Sequence, residues 1–100
     1  MIEDIIAEIG IDDKGRLYIC PASTSFPYIY RAAMEVGWDD KTGRLFSPQP
    51  RKWTYIDWFN QIIAATSDEY GTRLRLTAGT VFVNIPDPLR AEIQSRSTDT

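Results

Sequence analysis

The sequence predicts an α+β domain. The expected architecture is a mostly antiparallel sheet of about five strands, with one long helix over residues 54–70 packed on one face and short helices at both ends. Three observations carry this. Residues 55–70 hold apolar side chains at three- and four-residue spacing. Short β-rich runs separated by Asp, Gly and Pro flank that stretch. Strand-like and helix-like segments are segregated and do not alternate regularly.

Taken in order, Ile2, Ile5, Ile6 and Ile9 fall at helical spacing with Glu3, Asp4 and Glu8 between them. The spacing predicts a short amphipathic helix stopped by Gly10. Asp12-Asp13-Lys14-Gly15 then reads as a turn, since Asp starts turns and Gly takes positive φ without steric cost. Residues 16–20 read as a strand, with Leu17 and Ile19 facing one way and Arg16, Tyr18 and Cys20 the other.

Residues 28–38 admit a helix or a long strand and are read as a strand in which Tyr28, Tyr30, Ala32, Met34, Val36 and Trp38 share a face. Ala32 and Ala33 fit it poorly, because alanine is a weak strand former. Residues 38–46 follow as a hairpin loop entering another strand. The second turn echoes the first, and shared turn chemistry explains this better than duplication.

Pro48 and Pro50 make a rigid connector. Thr54 fits an N-cap, Asp57 stands where a capping box needs it, and Gly71 fits the C′ position. Beyond it, Leu74 and Leu76 are expected to pair with Val83 and Val81 in a hairpin turning at Ala78-Gly79. That register places Arg73 and Arg75 on the non-core face, with Arg75 opposite Phe82 and Arg73 opposite Asn84. A short helix over residues 88–94 completes the fold. The domain is expected to span residues 1–93, with 94–100 a disordered tail.

Composition narrows the function. Hydrophobic residues make up 43% and charged residues 25%, which is the balance of a folded globular chain. The start of the chain is acidic and no apolar run approaches a bilayer span, so a cytoplasmic protein without a membrane segment is expected. The net charge of −3 disfavours nucleic acid, whose binders carry a basic excess.

The chain has no histidine and one cysteine, Cys20. Ser-His-Asp and Cys-His catalysis within one chain are excluded, and so are zinc sites built on imidazole or several thiolates. No cofactor or metal is expected and no catalytic residue stands out, so the reading leans away from an enzyme. Paired acids at residues 12–13 and 39–40 serve turns better than hydrolysis.

Recognition chemistry remains. Trp53 and Tyr28 lie beside basic residues or prolines outside the strongest periodic patterns, where exposed aromatics mark binding surfaces. With Tyr30, Arg31, Trp58, Arg73 and Arg75 they form the candidate binding set. Arg51 and Lys52 add positive charge before the long helix. The bland alternatives are a satellite aromatic cluster and a solvated sheet face.

Leu17-Tyr18-Ile19, Phe26-Pro27-Tyr28-Ile29-Tyr30-Arg31-Ala32-Ala33, Trp38, Phe46-Ser47-Pro48, Tyr55-Ile56-Asp57-Trp58-Phe59 and Tyr70-Gly71 form a pattern across most of the chain, from residue 9 to residue 86. It resembles small bacterial proteins encoded on integron gene cassettes. The resemblance implies a compact α+β fold and a mobile accessory gene, and it carries no functional residues over. A non-catalytic binding or interaction protein, of immunity or antitoxin type, is the leading expectation. Its partner would be another protein or a second copy of the chain. A small-molecule binder with a pocket between helix and sheet is the alternative.

Overall fold

In the computed structural model, which describes residues 2–98 and side chains as far as Arg96, the first isoleucines belong to a strand, β1 (Ile2–Ile11), and not to a helix. The reason is a β-bulge. Asp4 and Ile6 point inward, the pairing register shifts between Ile6 and Glu8, and beyond it Ile9 and Ile11 point inward. A bulge adds one residue, so two inward side chains come to stand three apart. A bulged strand therefore imitates helical spacing.

β1 is the sheet's central strand. On one side it pairs antiparallel with β2 (Leu17–Pro21), with Ile9 opposite Ile19 and Ile11 opposite Leu17. β2 pairs antiparallel with β4 (Arg44–Phe46), which pairs antiparallel with the edge strand β3 (Gly37–Asp39). Both turns follow the expected chemistry. Asp12 Oδ1 accepts from the N–H groups of Lys14 and Arg16, Asp39 Oδ1 accepts from Lys41 N–H, and Gly15 and Gly43 take φ of 77° and 66°.

The other side of β1 corrects the expected C-terminal hairpin. β5 (Thr72–Arg75) and β6 (Val81–Val83) do not pair with each other. Both run parallel to β1, β5 against residues 2–5 and β6 against residues 8–10. They act as one broken strand, interrupted at residues 76–80. The sheet is therefore mixed and six-stranded. Arg73 and Arg75 do lie on the face opposite buried Leu74. Phe82, however, carries the guanidinium of Arg90 over its ring at 4.4 Å, not that of Arg75.

Residues 28–38 are likewise not one strand. Ile29–Arg31 is a single 3-10 turn, and further turns follow before β3 begins at Gly37. The buried residues here are Ile29, Ala33 and Val36, spaced four and three apart. Tyr28, Tyr30 and Met34 are left in solvent at 51%, 52% and 91% exposure. The alanines that fitted a strand poorly sit in these turns.

The long helix, α1 (Tyr55–Tyr70), has the bounds the sequence predicts. Asp57 N–H donates to Thr54 Oγ1 at 3.3 Å, and Thr54 N–H donates to Asp57 Oδ2 at 2.9 Å. Gly71 closes it with φ 60°. Trp58, Phe59, Ile62 and Ala65 turn from α1 into the core with Ile6, Ile9, Leu17, Ile19 and Leu45 of the sheet. The second helix, α2 (Asp87–Thr98), starts one residue early and runs past residue 94. Its Ile93 is buried against the same core. Residues 99 and 100, the end of the expected tail, lie outside the described residues.

Candidate functional site

The candidate binding residues separate into three places. Arg73 and Arg75 project from β5 on the sheet face away from the helices. Tyr28, Tyr30 and Arg31 gather at the 3-10 turn. The Arg31 guanidinium lies 4.8 Å from the Tyr28 ring centre and 4.0 Å from Glu69, while Tyr28 N–H donates to Tyr70 Oη at 2.8 Å. Trp53 and Trp58 meet at the start of α1.

The third place is concave. A groove of about 420 Å³ is lined by Glu35, Pro48, Gln49, Arg51, Lys52, Trp53 and Trp58. It lies between the connector ahead of α1, the first turn of α1 and the turn that carries Glu35. Its lining comes from these segments and holds no residue of the sheet. Tyr55 Oη donates to Gly15 O at 2.9 Å and ties the start of α1 to the β1–β2 turn.

Local helix chemistry explains how the two indoles meet. Trp53 precedes the N-cap Thr54, and Trp58 is the fourth residue inside the helix. Apolar side chains at these positions form a hydrophobic staple. The rings are 4.7 Å apart and tilted by 47°. Trp58 is 7% exposed and Trp53 44%. Trp53 also borders a second, more open depression of about 440 Å³ with Asp57, Asn60, Gln61 and Ala64.

Two features of this groove are chemically open. Trp58 Nε1 is buried with no hydrogen-bond acceptor among the described residues. Arg51 and Lys52 are exposed, and neither enters an ion pair among the described residues. The proline-flanked connector was the sequence signal for the basic pair. Nothing in the sequence pointed to Glu35, which a turn brings in from the segment read as a strand.

The open face of the sheet holds a second polar cluster. Tyr18 Oη donates to Glu8 Oε2 at 2.6 Å, and the Arg44 guanidinium stands 4.0 Å over the Tyr18 ring and 3.7 Å from Glu8. Burial, then the bond to Glu8, raises the Tyr18 pKa well above its usual value. Burial also raises that of Cys20, against the opposing pull of Arg44. A thiol held protonated is a poor nucleophile. Among the described residues, no group of three or more Cys, Asp or Glu side chains is placed to hold a metal ion. No described helix is long and apolar enough to cross a membrane.

Fold and site together define a small α+β protein with a mixed sheet and a solvent-open, aromatic-walled groove. The chain belongs to the family described as Integron Cassette Protein Hfx_Cass5, whose sequence profile matches residues 4–80. It is 45% identical to a solved structure, the integron cassette protein Hfx_Cass5 from the mobile metagenome of the North West Arm sewage outfall. The alignment covers 98% of each chain, with a TM-score of 0.49. No curated protein matches the chain.

Proposed function

We propose that this chain is a non-catalytic, cytoplasmic binding protein whose site is the groove at the start of α1. The observation that carries the reading is an aromatic wall, Trp53 on Trp58, set beside two cations that enter no ion pair among the described residues. Ligand sites combine apolar walls with a few convergent polar groups, and this groove has that composition. A ligand that binds only the folded state raises the melting temperature by mass action. A thermal-shift screen across classes of small organic molecules tests the reading. A concentration-dependent rise that Trp53→Ala reduces supports it; no rise with any class counts against it.

A second reading, masking of another protein in the manner of an immunity protein or antitoxin, draws on a different observation. Tyr28, Tyr30 and Met34 are large apolar side chains held in solvent on one short segment. Aromatic residues of this kind anchor protein interfaces. A protein partner that binds the native chain and is lost on Tyr30→Ala would favour this reading. Retention by that variant would remove the segment from consideration.

A further inference from the structure

We propose that the groove takes a small organic monocarboxylate, whose oxygens accept from Trp58 Nε1–H and pair with Arg51 or Lys52 while its apolar body lies on Trp53. The inference rests on the reading of the groove as a binding site and specifies the chemistry it selects.

The argument starts from Trp58. Buried N–H donors almost always have an acceptor, and an exception calls for an explanation. Trp58 Nε1 is such an exception in a residue that lines the groove. Indole is a donor only, so the complementary group is an acceptor; an amine or a purely apolar ligand does not answer it. Charge decides which acceptor. Arg51 and Lys52 line the same groove without ion-pair partners among the described residues, and hydrogen bonds to an ionised oxygen are shorter and stronger than neutral ones. Glu35 also lines the groove, leaving a local balance of one positive charge. That balance suits a monoanion and opposes a dianion.

Trp53 supplies the remaining specificity. It stands before the helix, 44% exposed, with its ring against Trp58, and it borders both depressions. Trp58 Nε1 is closed to solvent, so the inference requires the half-exposed Trp53 ring, which packs on Trp58, to turn aside and admit a ligand oxygen; exposed side chains make such motions on the picosecond-to-nanosecond scale. The turned ring then lies along the ligand's flat face, where an aromatic or alicyclic body packs best.

The test compares phenylacetate with phenylacetamide, which share one body and differ in charge. Titrations of the isotope-labelled full chain follow the three indole N–H resonances, assigned with Trp53→Phe and Trp58→Phe. The expected result is a saturable shift of the Trp58 indole signal with phenylacetate, and binding about tenfold weaker for the amide, a difference of about 1.4 kcal/mol. Arg51→Ala combined with Lys52→Ala, both at exposed positions, is expected to erase that preference. Equal binding of acid and amide overturns the carboxylate inference while leaving the groove a binding site. Acid binding with the Trp58 signal unmoved overturns the role of Nε1. Binding of neither probe overturns the inference, and the thermal-shift screen then decides separately whether the groove binds anything else.

Discussion

Thr80 Oγ1 donates to Ile6 O at 2.7 Å and accepts from Thr77 N–H at 2.9 Å. β1 pairs with β5 up to Ile5 and with β6 from Glu8 onward, so Ile6 O faces the break between them. A buried carbonyl there has no ladder partner, and the Thr80 hydroxyl replaces it. Thr80→Val keeps the shape and removes the donor. It is expected to lower stability by about 1–3 kcal/mol, the cost of an unsatisfied buried polar group. Thr80→Ser should keep most of the stability. Urea midpoints of the two variants check this, and a Val variant as stable as the native chain would refute the role given to the hydroxyl.

Two residues earlier on the same strand, Asp4 ties β1 to the loop after β2. Its Oδ1 accepts from Ile5 N–H at 2.8 Å, and its Oδ2 accepts from Ser23 and Thr24 N–H at 3.1 and 2.9 Å. Burial alone would raise its pKa, but the bonds from Thr24, Ser23 and Ile5 together outweigh burial and hold it below the ordinary 3.8. A carboxyl depressed in the folded state stabilises the fold above its unfolded pKa. That contribution is lost as pH falls through the folded value. Unfolding free energy should therefore drop below about pH 4, and less steeply in Asp4→Asn. Urea titrations between about pH 5 and about pH 2.5 measure it; parallel curves for the two proteins would contradict the assignment.

The errors of a sequence reading fall where tertiary pairing overrides local pattern. Ile6 and Ile9 look helical because a bulge shifts the inward face, and a bulge leaves no mark in composition. Leu74, Leu76, Val81 and Val83 alternate as a hairpin would. β1 instead offers a whole parallel edge, which buries more than a two-stranded ribbon does alone. What was legible was local: the Asp-led turns, the cap at Thr54, the Gly71 stop and the outward arginines of β5. The candidate groove was half legible. Trp53 and Trp58 carry the spacing of a helix-start staple, whereas Glu35 joins them only through turns that the alternating aromatics disguise.

Gly10 is expected to tolerate no side chain. It faces Tyr18 across the β1–β2 pairing, and a Cβ there would stand 2.5 Å from the phenol oxygen and 2.6 Å from the ring. Aromatic rings laid over a cross-strand glycine restore the packing the glycine lacks. Gly10→Ala must displace Tyr18 from Glu8 and Arg44, and overpacking of this kind costs about 1–3 kcal/mol. Tyr18 should also ionise later than a free tyrosine, because burial and then Glu8 raise its pKa. Since the folded value lies above the unfolded one, this stability is present below about pH 10 and lost above it. Absorbance at alkaline pH, compared between the native chain and Tyr18→Phe, reads both effects. Early ionisation of Tyr18 would break the account.

The last prediction joins helix chemistry to the groove. Thr54 caps α1 reciprocally with Asp57, and the staple of Trp53 on Trp58 straddles that cap. Loss of an N-cap hydroxyl costs about 0.5–2 kcal/mol, so Thr54→Ala should lower stability by that amount while Thr54→Ser does not. The groove should respond as well. With the cap gone, the chain enters the helix at a less defined angle, and the Trp53 ring is held on Trp58 by contact alone. In Thr54→Ala the Trp53 and Trp58 indole N–H signals should broaden and any groove ligand should bind more weakly, at temperatures where the variant is still fully folded. If stability falls while the indole signals and affinity stay native, the cap supports only the helix, and the groove owes its shape to Pro48 and Pro50.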